Sequence, residues 1–419
     1  MYLQKILQNL NKFSILFLFI FSNSFAITLE EAVQKTLKQS HEIKKIEADL
    51  SSVSGNKTSN FAKTFLPEVD YRLTKTTTEP DTSDKFNRTE KALVASYNVS
   101  NLYKGSLNYL SGNAALNVKK FTSQQEKTNL TIEVIKIYLK VLETQKTIEL
   151  LEKSLQLNNQ ILEQARIKFN SGSVRKTSVL LAESQTEEII SNIELAKNQL
   201  IIDKNRFLLM VGEKAENLIE PPLPAFPYPK LEDFLENIKK NNNTLKSSES
   251  QKNSKKYDLA YLSADFLPDI SISYQKYSAK DSFFLSKEDS GSRIVLSAKF
   301  YLYKPGLISS VIQKSYDFQS SKEQNFINLK EITTNARDLW AKYEYYNAII
   351  PSKERLVKVR AMIAKDFAED YKYGRVQLSD AIDEEAKFTE AELDLLKVRF
   401  KKILNIFEMK GMMAQTDLF

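Results

Sequence analysis

Few residues of this chain have the types and spacing that chemistry requires. The single histidine, His41, lies in a polar helical stretch, so neither a histidine triad nor a His-rich metal site can be built. Cysteine is absent, and the nine glycines form no phosphate-binding loop. Carboxylates alone could still catalyse a reaction, but no pattern indicates one. We therefore expect no enzymatic activity, no metal site and no cofactor.

The most suggestive acidic residues are Asp380 and Asp383, which follow Gly374 and lie three positions apart. Residues at this spacing share one face of a helix, so both carboxylates can point the same way. Acids gathered in this manner repel one another and favour cations. A purely structural interpretation stays open for Asp380, because an acid just after a glycine turn also stabilises the N-terminus of a helix.

The N-terminal segment predicts export from the cytoplasm. Lys5 and Lys12 give a positively charged segment before the short apolar run 13–21. Residues 24–26, just before Ile27, include small residues at the spacing of a cleavage site. We expect residues 1–26 to be a signal peptide, with an uncleaved N-terminal anchor as the less favoured alternative. No later stretch is apolar over the roughly 20 residues that a transmembrane helix needs.

Such a chain is periplasmic, secreted or a β-barrel. Its formal charge of +7 could suggest nucleic acid as a partner. The lysines, however, lie among glutamates and aspartates and form no dense basic run, so we do not expect nucleic-acid binding.

An internal repeat organises the sequence. Four markers recur at offsets of 200 to 202 residues. They are Leu29-Glu30-Glu31 with Leu231-Glu232-Asp233, Phe65-Leu66-Pro67 with Phe266-Leu267-Pro268, Leu102-Tyr103-Lys104 with Leu302-Tyr303-Lys304, and Phe169-Asn170-Ser171-Gly172 with Tyr371-Lys372-Tyr373-Gly374. We infer two repeats, 27–218 and 231–411, joined by a Pro-rich extended connector at 219–230 and followed by a tail at 412–419.

Each repeat predicts a helix, two strands and two very long helices. The first helix begins at Thr28, which forms a capping-box pattern with Glu31, and runs to about Ala62. Polar loops at 77–89 and 280–291 separate the strands of each pair. Apolar residues alternate with polar ones at Val69, Tyr71, Leu73, Leu93, Ala95, Tyr97, Val99, Ile270, Ile272, Tyr274, Ile294, Leu296, Ala298 and Phe300.

Strands of about 10 residues with one apolar face are typical of a barrel that faces lipid outside and water inside. Two hairpins packed on a soluble core would show the same alternation. Four strands per chain cannot close a barrel, and an open edge in lipid leaves backbone groups unpaired. Several chains must therefore combine. Three copies would give about 12 strands, although spacing alone fits other multiples.

The helical periodicity is that of a coiled coil. Apolar residues fall at steps of seven at Val134, Val141, Ile148, Leu155, Leu162 and Phe169. From Asn101 to Asn170 this predicts roughly 100 Å of helix, after which Gly172 turns the chain and a second helix runs back. The second repeat predicts an equivalent long helix from 307 to 372, with a kink at Pro351, followed by its own turn and return helix.

The sequence resembles the TolC family of outer membrane efflux proteins over almost all of the predicted mature chain. The resemblance rests on Leu29-Glu30-Glu31-Ala32, Phe65-Leu66-Pro67, Tyr103-Lys104-Gly105 and the hairpin glycines Gly172 and Gly374. It implies a mainly α-helical homotrimer with a 12-stranded membrane β-barrel, four strands per chain, continued by a coiled-coil barrel in the periplasm. It also implies a place in the outer membrane of a Gram-negative bacterium, in contact with its lipid.

The resemblance further implies partners and site residues. The partners are a periplasmic adaptor and an inner-membrane transporter. Asp380 and Asp383 match the acidic rings that narrow the periplasmic entrance of such channels, and Tyr371 matches a tyrosine of the same gate. The adaptor is expected to dock at the two helical tips, at Gly172, Val174, Gly374 and Val376.

Two departures from the family pattern concern the tips. Ser178 stands where the family usually has aspartate, and Val376 stands where an arginine commonly holds the tip together. Arg375 lies one position earlier. The acidic rings are therefore expected to persist, while the arginine contact is not assured.

The favoured function is a passive exit duct for efflux or type I secretion. A soluble periplasmic adaptor with a coiled-coil hairpin is the alternative, but two hairpins and only nine glycines count against it. A carboxylate-based hydrolase of the cell envelope would need a compact domain that these long helices leave no room for. The sequence does not distinguish drug, protein and metal substrates, since one duct architecture serves all three.

Overall fold

The computed structural model describes residues 27–79, 81, 86–281 and 288–414. The predicted signal peptide and the last five residues of the predicted tail lie outside these ranges. The described helices are α1 Leu29–Gln39, α2 His41–Phe65, α3 Lys104–Asn170, α4 Lys176–Val211, α5 Leu231–Asn241, α6 Asn243–Ser263, α7 Leu307–Lys372 and α8 Leu378–Met412. The described strands are β1 Glu68–Thr78, β2 Phe86–Asn98, β3 Asp269–Asp281 and β4 Glu288–Lys299.

The helix predicted from Thr28 to Ala62 is in fact two helices, α1 and α2. The predicted capping box is present: Glu31 N donates to Thr28 Oγ1 at 3.2 Å, and Thr28 N donates to Glu31 Oε2 at 2.9 Å. A second cap then interrupts the helix, because Ser40 is extended and its Oγ accepts a hydrogen bond from Glu42 N at 3.1 Å. Serine in this role starts a new helix, and apolar periodicity does not reveal it.

Two helices extend along the whole helical layer. α3 has 67 residues and α7 has 66, whereas the return helices α4 and α8 have only 36 and 35. Both helices of each hairpin are long, as predicted, but α4 and α8 are only about half the length of α3 and α7. α4 and α8 cover the half of the layer beside the turns, and α2 and α6 pack in the half beside the strands.

At each level four helices lie side by side. Their order is α2–α3–α6–α7 beside the strands and α4–α3–α8–α7 beside the turns. α7 continues through Pro351. None of the described helices contains an apolar stretch long enough to cross a membrane.

The strands form one antiparallel sheet in the order β1–β2–β3–β4. Pairing extends further than the sequence predicts, since Thr78 lies opposite Phe86 and Lys280 lies opposite Glu288. The predicted loops 77–89 and 280–291 are correspondingly shorter. Both faces of the strands become polar there, which removes the alternation that marks a strand while leaving the backbone ladder intact.

One face of the sheet is apolar and exposed. Val69 lies opposite Ala95, Ala95 opposite Tyr274, and Tyr274 opposite Ile294, so the predicted alternation places these residues on a common face. The large side chains of this outward face are between 42% and 71% exposed: Val69, Tyr71, Leu73, Leu93, Ile272, Tyr274, Ile294 and Leu296. An apolar face of this size needs lipid or protein to cover it.

The other face of the sheet is polar. Arg293 donates to Gln275 Oε1 at 2.7 Å and reaches Glu90 at 3.3 Å, while Arg72 pairs with Asp70 at 2.7 Å. Among the described strands, the outer edges of β1 and β4 have no strand partner. The sheet thus has one apolar face, one polar face and two open edges.

A partly buried ion cluster joins the sheet to the helices. Asp265, which precedes β3, lies 2.5 Å from Lys104 Nζ and 2.6 Å from Lys304 Nζ. Lys104 also reaches Asp269 at 3.4 Å. The Lys104 and Lys304 markers recognised in the sequence therefore meet at one acid. Close packing adds to this junction, since a Cβ on Gly105 would lie 2.8 Å from Thr64 Cγ2.

The segment predicted as an extended connector, 219–230, contains no helix or strand. Its Phe226 ring packs edge-on against Phe234 at 5.4 Å and lies 6.0 Å from Trp340. Near its start, Ile219 O lies 2.6 Å from the hydroxyl of the buried Tyr138. Aromatic contacts hold the connector against α5 and α7.

Candidate functional site

The two helical hairpins end in turns of the same geometry. Gly172 and Gly374 have φ of 77° and 75°, the left-handed region that favours glycine. After each glycine the backbone reaches back to the preceding helix: Ser173 N donates to Lys168 O at 2.8 Å, and Arg375 N donates to Asp370 O at 2.9 Å. These glycine caps end α3 and α7 and place the two turns side by side.

A shared apolar core holds the two tips together. Its buried members are Ile161, Leu162, Ala165, Ala182, Tyr371, Leu378, Ala381 and Ile382, from both hairpins. Val376 packs against this core, and Val174 is half-buried, whereas Gly172 and Gly374 are exposed. Of the four residues predicted to dock an adaptor, the two glycines are therefore accessible and the two valines contribute partly to packing.

The structure places Asp380 and Asp383 on the exposed face of α8. They lie about 60° apart around the helix at about 100° per residue. The buried residues Ala381, Ile382 and Glu385 occupy the opposite face. Ser379 Oγ approaches Asp380 at 3.4 Å, and neither aspartate has an ion pair among the described residues. The predicted pair of acids thus projects from the tip without an ion pair to a cation in the described ranges of the chain.

Tyr371 takes a different position from the two acids. Its side chain is 3% exposed, and its hydroxyl has no hydrogen-bond partner among the described residues. Burial raises the pKa of the Tyr371 phenol. Lys168 from the first hairpin bonds the Tyr371 carbonyl oxygen and lies 4.3 Å from the centre of its ring. The predicted gate tyrosine therefore sits between the hairpins, clamped by a lysine.

A second polar contact between the hairpins is made by α8, one to two helical turns after Asp380. Glu385 of α8 is 3% exposed, and its carboxylate accepts hydrogen bonds from Ser154 Oγ at 2.7 Å and Asn158 Nδ2 at 2.5 Å. Thr389 Oγ1 donates to the same carboxylate at 2.9 Å. Three donors satisfy this buried acid, so α3 and α8 are joined by directional bonds as well as by apolar packing.

The predicted departure at Val376 is visible in the geometry. Arg375 pairs with Asp370 at 3.2 Å within its own hairpin, and its guanidinium lies 5.3 Å from the centre of the Tyr373 ring. Ser178 is half-buried near the start of α4. Lys168 is a cation that does cross from one hairpin to the other, at the Tyr371 carbonyl oxygen.

A cavity of about 440 Å³ opens between the hairpins beside these contacts. Its lining is mostly apolar and includes Leu157, Ile161, Ala364 and Phe388. Tyr371 and Glu385 lie at its wall. The two hairpins are therefore separated by an open cleft in this part of the tip.

Sequence reasoning missed Lys168, Ser154, Asn158 and Glu385. A signal existed for Ser154 and Asn158, which interrupt the apolar stripe of α3 at a spacing of four, but none existed for Glu385. Nothing in the sequence marked Lys168. Within the described part of the chain, no group of three or more histidine, aspartate or glutamate side chains is placed to hold a metal ion.

Comparison with known proteins supports the fold and the family. The model of the family described as Outer membrane efflux protein matches residues 32–213. No curated protein sequence matches the chain significantly. Among solved structures, the outer-membrane channel OprN superposes with a TM-score of 0.82 at 14% identity, over 92% of this chain and 89% of that one.

Two further structures give the same result. CusC, described in a study of transmembrane channel formation, has a TM-score of 0.81 at 13% identity over 92% of this chain and 91% of its own. The outer membrane protein VceC of Vibrio cholerae has a TM-score of 0.81 at 14% identity over 92% and 96%. At these identities the likeness shows the fold. The match over residues 32–213 and the shared fold confirm that the chain resembles the outer membrane efflux proteins of the TolC type.

Proposed function

We propose that the chain is the protomer of a homotrimeric outer-membrane exit duct for efflux or type I secretion. The observation that carries this proposal is a four-stranded sheet with an exposed apolar face and two open edges, continuous with a layer of long helices. Open edges in lipid are costly, and neighbouring copies of the same sheet would pair them.

The helical layer supports the same arrangement. One lateral edge is formed by α2 and α4 and the other by α7, and α4 and α7 carry large exposed apolar residues. On α4 these include Leu181, Ile190, Leu195, Ile202 and Leu209, and on α7 they include Ile312, Tyr316, Phe326, Tyr345 and Met362. Because both layers are open on the same two sides, one lateral contact between copies covers strands and helices together. Repetition of that contact closes a tube.

A functional test combines oligomeric state with conductance. The full mature chain, purified in detergent, should form a trimer by mass photometry and should insert into planar lipid bilayers as long-lived conducting units. A channel with an aqueous lumen through both layers requires no cofactor. A water-soluble monomer that never conducts would instead favour the periplasmic adaptor and would overturn the proposal.

We further infer that the tips form the periplasmic entrance and the adaptor contact. Asp380 and Asp383 project from each protomer with no cation beside them, so three copies around an axis would form two acidic rings. Tyr371 would act from within the tip core by fixing the position of α7 relative to α3. The exposed turn glycines Gly172 and Gly374, with Val174 and Val376 beside them, would present the surface for the adaptor that links the duct to an inner-membrane transporter.

Removal of the two acids should weaken block by multivalent cations. In bilayers, Asp380→Asn/Asp383→Asn should bind a trivalent cation such as hexaamminecobalt at least about tenfold more weakly from the tip side, because each carboxylate at about 4 Å contributes about 1 kcal/mol even in water. Cation selectivity should fall as well. The measurement is the concentration of blocker that halves the single-channel current.

Asp366→Asn/Glu369→Gln is the matched control, since these exposed acids lie three apart on the other helix of the same hairpin. The blocker concentration that halves the current through that variant should equal the wild-type value. Equal block in all three proteins would show that Asp380 and Asp383 are only helix-terminal acids.

A further inference from the structure

The outward face of the sheet changes from apolar to basic on three neighbouring strands, along a line that moves by one outward position from each strand to the next. On β1 the outward residue after Leu73 is Lys75, on β2 the one after Leu93 is Lys91, and on β3 the one after Tyr274 is Lys276. Each lysine is the first outward side chain beyond the apolar run of its strand. We refer to Lys75, Lys91 and Lys276 as the lysine row. Its regular placement follows from the period of two in each strand.

The lysine row is available for binding. All three side chains are exposed, and none has an ion pair within the described part of the chain. Lys280 is a fourth exposed lysine on the same face, two outward positions beyond Lys276. By register one acid shares this face, Glu288, opposite Lys280. The net charge of the described outward face is therefore positive.

The neighbours of the row carry hydroxyl groups. Exposed outward residues on the same part of the sheet are Thr77, Ser278, Ser290 and Ser292. Lysines act as point charges for phosphate groups, and hydroxyls both donate and accept hydrogen bonds. This combination is suited to a head group that carries phosphates on a sugar.

The two ends of the apolar face differ. Beside the helices it is bordered by exposed aromatic residues, Phe65, Phe266, Phe300, Tyr301 and Tyr303. Aromatic side chains favour a membrane boundary, as do lysines that reach charged head groups. The lysine row lies at the opposite end, beside the connections between strands and farthest from the helices. If the helices extend into the periplasm, the lysine row lies in the outer leaflet.

We propose that the lysine row binds the phosphate groups of a phosphorylated glycolipid in the outer leaflet of the membrane. This inference rests on the proposed outer-membrane location. In a trimer the rows of three copies follow one another around the barrel, so that they form a basic collar just above the apolar band. The collar would fix the depth of the barrel in the membrane and recruit a shell of anionic glycolipid.

The test measures lipid bound to the purified full-length trimer. Detergent-solubilised protein is incubated with diphosphoryl lipid A, with dephosphorylated lipid A or with phosphatidylglycerol, and the bound lipid is counted by native mass spectrometry. Wild type should bind diphosphoryl lipid A most tightly. Lys75→Gln/Lys91→Gln/Lys276→Gln should bind it at least about tenfold more weakly, because each lysine near an anionic head group contributes about fivefold to the affinity.

Lys322→Gln/Lys397→Gln/Lys401→Gln is the control, since it removes three exposed helical lysines and the same net charge. It should bind lipid A as the wild type does. Equal binding by wild type and the lysine-row variant would overturn the inference, and so would binding of phosphatidylglycerol as tight as that of diphosphoryl lipid A. In either case trimer formation and conductance in bilayers still report separately on the proposed function.

Discussion

Replacing Glu385 by alanine is expected to loosen the two tip hairpins and to raise the mean current through the reconstituted channel. The reason is the position of Glu385 between α3 and α8. Its carboxylate is the shared acceptor for Ser154, Asn158 and Thr389, all of which are buried. Without it, the Ser154 and Thr389 hydroxyls lose this acceptor, and Asn158 Nδ2 keeps only its bond to Ser154 O at 3.2 Å.

The size of the effect follows from the cost of unpaired polar groups. A buried donor that loses its partner costs about 1–3 kcal/mol, so the variant should lose roughly 2–4 kcal/mol of contact between α3 and α8 in each protomer. The cavity beside Glu385 gives the released side chains room to move. If opening requires these helices to part, a shift of about 1.4 kcal/mol already changes the open-to-closed ratio tenfold.

The measurement is the single-channel record of Glu385→Ala in planar bilayers, together with thermal unfolding of the same trimer. Glu390→Ala is the matched control, because Glu390 lies five positions along the same helix and is exposed. The control should conduct as the wild type does. A Glu385→Ala trimer that is less stable but has unchanged conductance would show that this contact supports the fold without restraining the entrance.

The second large effect is expected at the junction of sheet and helices. Asp265→Ala should destabilise the trimer by about 2–4 kcal/mol per protomer, somewhat less than the 3–5 kcal/mol typical of a fully buried pair. The variant leaves Lys104 Nζ, whose side chain is 14% exposed, with only Asp269 at 3.4 Å. Lys304 is 40% exposed and can be solvated, which is why the lower range applies.

The ionisation of Asp265 and Lys104 also predicts how the stabilisation by this junction depends on pH. Burial opposes the charged forms, but the hydrogen bonds and charges of Lys104 and Lys304 outweigh it and lower the pKa of Asp265. Burial likewise opposes the charge of Lys104, but Asp265 and Asp269 raise its pKa overall. A carboxyl with a lowered folded pKa stabilises the protein above its unfolded pKa of about 4 and loses this contribution as the pH falls through the folded pKa.

The measurement is therefore the difference in thermal unfolding between the wild type and Asp265→Ala as a function of pH. The difference in unfolding temperature should be largest near neutral pH and should shrink as the pH falls below about 4. Asp366→Ala, at an exposed acid of α7, should show little destabilisation at any pH. A pH-independent difference would mean that lost packing, and not the ion cluster, destabilises the variant.

The sequence by itself determined the elements that depend on local pattern. Alternation located the apolar face of each strand, the Thr28 capping box located the first helix, and Gly172 and Gly374 located the two hairpin turns. The resemblance to outer membrane efflux proteins was also readable, since short markers in a fixed order carry it. These features are set by residues that lie close together in the chain.

Only the tertiary structure decided which distant residues meet. How the helices share the layer was decided at this level, because α2 and α6 fill the half that the shorter α4 and α8 leave. The same holds for Lys168 at Tyr371, Glu385 at Asn158, and the two marker lysines at Asp265. A lone lysine or glutamate has no local signature of its partner. Burial and pairing depend on which helices pack together, and some of these helices are about 200 residues apart in the sequence. The periodicity within one helix does not show which other helix packs against it.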